Sequence, residues 1–474
     1  MNAYNGSLMR FLAFFTIMLL AALSADASAQ QCQCRMKAAG GQQGGGAFAL
    51  KPENTSDCRQ SDVVDVNLGN SPTEAVRRLY CQITGKEPPA SASAFSQPLS
   101  SDARARRIDV AYRICAEEGK QCKFAFSSPW ENNVEPSAPA CERIGKRDVG
   151  AVLMFFFDCP GKTNCEMNWA GNHVFGMDPV APMAGGGYYD PDEVAFWTRE
   201  LRDARYAGLQ FLLPNVYGPD MVDEGKIDKL AQALKSEGDA VKIGMLDDTW
   251  TWGQTYFGAK WAAVPNLSDT EGAASTMYQM KWKPFFTKID DAHRYKIDGK
   301  PVIYFYNAGT LSPRNVSAAV IKRMKEMFKA DFGSEPFVVV DTAFFDDPAM
   351  ESVANGRFTW NSISPAAPGG VNGFAMNGKK LGNAMVRWDA VGRESPGQPA
   401  KDGDTLIKGD ELLNTVLNGT TDFDVLTLAT WNDLGEGTGI NRAYDYYYKG
   451  KWLEPDHFMR LIRKSQCANA DVAP

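Results

Sequence analysis

Histidine is scarce: the 474-residue chain has three, His173, His293 and His457, scattered along its length. A histidine-built metal centre or a Ser-His-Asp triad needs such residues, so acid–base chemistry falls to carboxylates. Positive charge is not in excess either. With 50 Lys+Arg against 57 Asp+Glu the net charge is −7, which leaves no basic footprint for a nucleic-acid backbone. The longest apolar run, residues 11–23, is short for a bilayer span. No G-x-G-x-x-G follows the first predicted strand, Gly185-Gly186-Gly187 lacks the Lys-Ser/Thr of a phosphate loop, and no repeat of fixed period is visible. Neither a nucleotide cofactor nor a catalytic metal is implied. Hydrophobic residues at 44% and charged residues at 23% are those of a globular, core-forming chain.

The apolar run 11–23 is followed by Ser24-Ala25-Asp26-Ala27-Ser28-Ala29. Ala27 and Ala29 supply the small residues a signal peptidase needs, so residues 1–29 are expected to be a cleaved signal peptide and the product secreted or periplasmic; the alternative is an uncleaved anchor. Ten cysteines follow this site: Cys32, Cys34, Cys58, Cys81, Cys115, Cys122, Cys141, Cys159, Cys165 and Cys467. An even count in an exported chain predicts disulfides of undetermined connectivity, with Cys467 bonded to a cysteine of the N-terminal segment. A zinc reading of Cys32-Gln33-Cys34 lacks a second ligand pair at suitable spacing.

Residues 30–148 hold seven of the cysteines, the Gly-rich stretch 40–46 and a Pro/Ser/Ala run at 88–101. Such a segment buries little apolar area, and it is expected to be a disulfide-stapled extension with helices over 72–82 and 102–116. Residues 149–466 then alternate apolar runs with amphipathic helices, and 467–474 form a tail. The spacing predicts strands over 151–157, 209–213, 241–246, 301–306, 337–341, 357–360, 384–388 and 425–430. Helices are predicted from Asp190-Pro191 onward, over 227–234, 277–293, from Ser312-Pro313 onward, over 409–417 and over 455–464. Eight strand–helix units favour a closed (β/α)8 TIM barrel; a doubly wound open sheet is the rival.

In a barrel the residues just after each strand build the site. Here they include Asp158, Asn215, Tyr217, Asp247, Asp248, Tyr306, Asn307, Asp341, Trp360, Arg387, Trp388 and the segment Trp431-Asn432-Asp433-Leu434-Gly435-Glu436. Aromatic faces stack on sugar C–H faces while acids and amides bond the hydroxyls, so this mixture points to a carbohydrate cleft. Caps or turns are the plain alternative for Asp158, Asn215 and Asp347, and loop packing for Trp250, Trp252 and Trp360. Asp433 and Glu436 stand apart: two acids three residues apart, threaded by glycine after a strand, meet the need of glycosidic cleavage for one protonated and one ionised carboxyl.

Thr430-Trp431-Asn432-Asp433-Leu434-Gly435-Glu436 resembles the strand-eight signature of glycoside hydrolase family 71, the endo-α-1,3-glucanases. Gly435-Glu436-Gly437-Thr438 is similar to the corresponding segment of the family 99 α-mannan hydrolases. The segments 188–208 and 299–302 resemble more loosely the approaches to strands two and four. The resemblance implies a shared TIM barrel with Asp433 as base and Glu436 as general acid. Gly437-Thr438 stands where family 71 continues Ser-His, and Asp433 where the mannan-active relatives carry Glu, so the substrate stays open between the two.

The expected function is therefore an exported glycoside hydrolase acting on an α-linked polysaccharide. Asp433 and Glu436 are its catalytic residues. Asp247, Asp248, Tyr306, Asn307, Asp341, Trp360, Arg387, Trp388, Trp431 and Asn432 are its substrate-binding residues. The partner is a poly- or oligosaccharide, with no nucleic acid and no membrane span after signal cleavage. The alternative is a non-catalytic glycan-binding barrel at the cell surface.

Overall fold

The computed structural model describes residues 49–52, 80, 122–125, 139–155, 157–158, 166–167, 173–174, 189–217, 222, 225–249, 269–306, 316–360, 371–385, 409–433, 438–442, 447–448, 451–452 and 456–470. The chain divides into two compact units, Met1–Ser127 and Ser128–Pro474. In the first, Ala49–Pro52 pairs antiparallel with Cys122–Ala125. The signal-peptide segment, most of the extension, including the helix predicted over 102–116, and eight of the predicted strand-edge residues (Asn307, Arg387, Trp388, Leu434, Gly435, Glu436, Trp250 and Trp252) lie outside the described residues.

The second unit is a (β/α)8 barrel. Its strands are β1 (Asp148–Leu153), β2 (Phe211–Val216), β3 (Met245–Asp248), β4 (Lys300–Tyr306), β5 (Phe337–Asp341), β6 (Gly356–Phe358), β7 (Lys379–Met385) and β8 (Val425–Ala429). Neighbours from β7 through β8, β1 and on to β6 pair in parallel. At the remaining seam Asn383 Nδ2 of β7 donates to the Thr359 carbonyl just past β6 at 3.1 Å. The Leu381 side chain there occupies the space a Cβ on Gly356 would take, at 2.3 Å, so only glycine lets β6 approach this closely. Both faces of the strands are buried, one toward the interior and one under helices, which is why they read as near-continuous apolar runs.

The helices are α1 (Val194–Ala207), α2 (Lys226–Glu237), α3 (Thr270–Met277), α4 (Lys283–Lys288), α5 (Ala318–Phe332), α6 (Met350–Val353), α7 (Gly409–Gly419) and α8 (His457–Gln466). A π-helical turn, Tyr278–Trp282, joins α3 to α4. Where the sequence predicts a helix opening at Asp190-Pro191, those residues instead form a turn: the Asp190 carbonyl accepts from Glu193 N, and its carboxylate from Asp192 N. α1 begins only at Val194. The helix predicted from Ser312-Pro313 is α5, capped by Ser317, whose hydroxyl accepts from Val320 N. β7 lies some residues before the predicted 384–388, as the second arm of an antiparallel hairpin with Val371–Met376.

Cys467 is bonded to Cys141, ahead of β1. The expectation that Cys467 pairs with a cysteine of 30–148 is met. The bond rests against the C-terminus of α1, where a Cβ on Gly208 (φ 82°) would stand 2.8 Å from Cys467 Sγ. Arg463 of α8 adds hydrogen bonds to the carbonyls of Tyr206 and Pro139, at 2.8 and 2.9 Å.

Candidate active site

Paired residues of parallel strands share a face, and successive residues alternate. Thr427 of β8 donates its hydroxyl proton to the Tyr304 hydroxyl of β4 at 2.9 Å, across the interior, so both side chains point inward. Tyr306, two residues on, points inward as well. Asp248 is level with Tyr306, and Asp341 follows Val340, which is level with Phe305. Asp248, Tyr306 and Asp341 therefore form an inward-facing arc where the strands end, two acids flanking a tyrosine. Trp360, just after β6, lies on the Tyr306 ring with centroids 4.7 Å apart. Further round, Asn215 Nδ2 donates to Met154 Sδ at 3.4 Å.

Asp341 is buried, and one carboxylate oxygen accepts from Ala343 N at 2.9 Å, capping the 3-10 turn Thr342–Asp346. Burial raises its carboxyl to about 6, against the opposing pull of the Ala343 and Trp360 amides and the Arg357 charge. Asp341 thus faces the mouth while holding the backbone on both sides of it, including that of Trp360.

The same alternation turns Asp247 the other way. Level with Phe305, it points into the helix layer, where Lys281 Nζ donates to one oxygen at 2.9 Å and Trp282 Nε1 to the other at 2.7 Å. The π turn places these two consecutive side chains on one carboxylate. Lys281 also donates to the carbonyls of Asp248 (2.7 Å) and Val216 (3.2 Å). A fully buried lysine thereby ties the ends of β2 and β3.

Asp433 sits on the loop after β8, and that loop is closed at its root. Thr430 and Thr438 share a hydroxyl hydrogen bond of 2.7 Å. Asp433 N donates to Thr430 Oγ1 at 2.8 Å, and Thr438 N donates back to the Asp433 carbonyl at 3.1 Å. The Trp431 carbonyl accepts from Ile440 N and Asn441 N. Asn432 acts as a length of backbone: its Oδ1 accepts from Met154 N at 2.6 Å, and its Nδ2 donates to the Met154 carbonyl at 2.8 Å. That doublet carries the β8–β1 pairing one step beyond the strands. The Trp431 indole is buried and donates to Glu200 of α1.

The structure thus brings Asp248, Tyr306, Asp341 and Trp360 together at the mouth and sets Asp433 on the β8 loop. The side chains of Asp247, Trp431 and Asn432 are engaged in buried contacts. Asn307, Arg387, Trp388 and Glu436 lie outside the described residues, as do Trp250 and Trp252. Among the described residues no three His, Cys, Asp or Glu side chains are grouped to hold a metal ion, and no helix is long and apolar enough to cross a membrane. Sequence reasoning missed Lys281, Tyr189, Glu200 and Asn441, all polar residues on helices or turns.

A family model described as a domain of unknown function, DUF5010, matches residues 171–469. The chain belongs to this family. Every mouth residue named above falls within the DUF5010 match, as does the whole strand-eight loop. No curated protein matches the chain. Among solved structures, the DUF5010 chain is similar to the family 99 endo-α-mannosidase from Bacteroides thetaiotaomicron, at 11% identity over 67% of this chain and 96% of that one, with a TM-score of 0.46. It is also similar to a glycoside hydrolase-like protein, at 15% identity over 70% and 97% with a TM-score of 0.47. A third likeness is to a family 5 mannosidase from Rhizomucor miehei, at 12% identity over 72% and 94% with a TM-score of 0.32.

Proposed function

We propose that this protein is an exported glycoside hydrolase cleaving an α-linked polysaccharide, α-1,3-glucan-like or α-mannan-like, with Asp433 as base and Glu436 as general acid. The observation that carries the reading is the placement of Asp433: it stands on a loop whose root is locked to β1 and β8, at the same barrel end as the inward arc of Asp248, Tyr306 and Asp341. Glycosidic cleavage needs an acid held at a fixed position beside a surface that grips a sugar ring. The Tyr306–Trp360 pair offers apolar ring faces, and the two flanking acids offer hydroxyl partners. Asn307, Arg387 and Trp388 are assigned to the same surface from the sequence, and Asp247, Trp431 and Asn432 support it from below. The strand-eight signature supplies the second acid, Glu436.

The test is reducing-end release from a panel of α-glucans and α-mannans. Hydrolysis of one polymer, lost in Asp433→Asn and Glu436→Gln, is the expected result. Binding without hydrolysis across the panel would replace the reading with a non-catalytic glycan-binding barrel. N-terminal sequencing of the exported product should begin at Gln30; retention of residues 11–23 would overturn the signal-peptide assignment.

A further inference from the structure

Beneath the strand-eight loop lies a buried polar knot that the proposed chemistry does not use. Glu200 of α1 is 1% exposed, and its Oε2 accepts the Trp431 indole proton. Its other oxygen, Oε1, is buried as well. The Tyr189 hydroxyl accepts from Asn432 Nδ2 and from Asn441 Nδ2, each at 2.9 Å, and stands beside Glu200. These contacts grip the loop on both limbs, at Trp431-Asn432 before Asp433 and at Asn441 after it. Next to Asn441, Arg442 pairs with Asp203 of α1 at 2.5 Å.

We propose that Glu200 is a positioning residue for Asp433, which fixes the root of the strand-eight loop from outside the strand ring through the Trp431 indole and, with Tyr189, through Asn432 and Asn441. Its catalytic meaning rests on Asp433 being the cleft acid. Its physical content does not, because the loop itself reports it. A buried indole N–H left without its acceptor is costly, so the geometry holds only while Glu200 accepts.

The knot also makes the loop responsive to pH. Burial raises the Glu200 carboxyl to about 7; Arg199, the Trp431 indole and Arg442 oppose the rise, and Asp203 adds to it. Tyr189 is the remaining titratable group against it, and its hydroxyl is itself held protonated by burial. A raised carboxyl binds its proton more tightly in the folded than in the unfolded state. The stabilisation is therefore complete below the ordinary glutamate value, near 4.5, and lost as pH rises through about 7. Above that, opening the knot to hydrate an ionised Glu200 becomes easier.

The test is hydrogen exchange of the backbone amides of residues 430–442 in the full chain, corrected for intrinsic pH dependence. Glu200→Leu and Trp431→Phe should each speed exchange in this segment at least about tenfold and leave β3–β6 unchanged, and the double variant should be no faster than the faster single one. Glu200→Gln, which keeps an acceptor, should retain wild-type protection at pH 6. Between pH 6 and 8 the wild type should lose protection here and Glu200→Gln should not. Unchanged protection in Trp431→Phe, additive effects, or the same pH response in Glu200→Gln as in wild type would overturn the proposal, and the Phe and Gln variants decide it even if Glu200→Leu does not fold. If exchange behaves as expected while Asp433→Asn still hydrolyses the wild-type substrate, the positioning stands and the assignment of the acid falls.

Discussion

Thr427 and Tyr304 meet hydroxyl to hydroxyl across the barrel, from β8 to β4, at 2.9 Å. One hydrogen bond between opposite strands means that the interior is filled by side chains, as a packed barrel requires, with Phe358 of β6 set edge-on to the same tyrosine ring at 5.1 Å. Burial raises the Tyr304 hydroxyl to about 12, so it stays protonated near neutral pH. Tyr304→Phe should cost about 1–2 kcal/mol, because Thr427 is left with a buried unsatisfied hydroxyl. Adding Thr427→Val should recover part of that loss in denaturant melts.

Lys281 and Asp247 form a fully buried ion pair behind the mouth. Lys281→Met should destabilise by about 3–5 kcal/mol, since it strands a buried carboxylate, while the double change Lys281→Met/Asp247→Leu should cost less, its remaining deficit coming from the Trp282 indole left without an acceptor. Urea midpoints of the two variants give the comparison; equal midpoints would show that the pair does not act as a unit.

For Asp341, burial raises the folded-state value from 3.8 to about 6. The folded protein then holds a proton that the unfolded chain releases, so stability from this group is complete below pH 3.8 and lost as pH rises through about 6, on the order of 3 kcal/mol in all. Asp341→Asn removes the titration and also weakens the caps on Ala343 and Trp360. Its deficit against wild type should therefore be largest near pH 4 and shrink toward pH 7, as read by denaturant midpoints across that range. A deficit independent of pH would contradict the assignment.

The two strand-eight acids should fail differently. Glu436→Gln removes the donated proton, so turnover of natural polymers should fall by about 10²–10⁴-fold while activated aryl glycosides suffer less. Asp433→Asn should depress both substrate types alike, because the attacking oxygen is no longer activated. Matching profiles in the two variants would mean that the roles are misassigned, and near wild-type hydrolysis in both would move the chemistry to Asp248 and Asp341.

Much of this architecture is legible in the chain. Residues 337–341 form a strand with the predicted limits because Phe337-Val338-Val339-Val340 is an aromatic followed by three β-branched valines, all apolar and buried on both sides. β7 was harder. Lys379-Lys380 and Gly382-Asn383 do not read as a buried strand, yet Asn377-Gly378, both at positive φ, is the two-residue signal of a tight hairpin and announces it. Adjacent carboxylates on a strand face opposite ways, so Asp247 and Asp248 could have been parted by counting alone. The Lys281 and Glu200 contacts had no such signal. A π turn follows no apolar period, and a helix that buries Arg199, Glu200 and Asp203 looks in sequence like one with an ordinary solvated face.

Cleaving the Cys141–Cys467 bond should loosen the barrel. The 326-residue separation corresponds to stabilisation of about 6 kcal/mol by chain entropy. Cys467→Ser, or reduction, should lower the thermal midpoint, and early loss of protection in α8 and the C-terminus of α1 would locate the weakness. An unchanged midpoint would show that the bond adds nothing to the folded state.

That bond also makes the barrel a covalent ring. Any single backbone cut between Cys141 and Cys467 leaves both pieces joined through sulfur, and where the cut falls between β1 and β8 each piece still carries strands that pair with the other. A protease that nicks a mouth loop therefore produces a two-chain protein rather than two fragments, for as long as the surroundings stay oxidising.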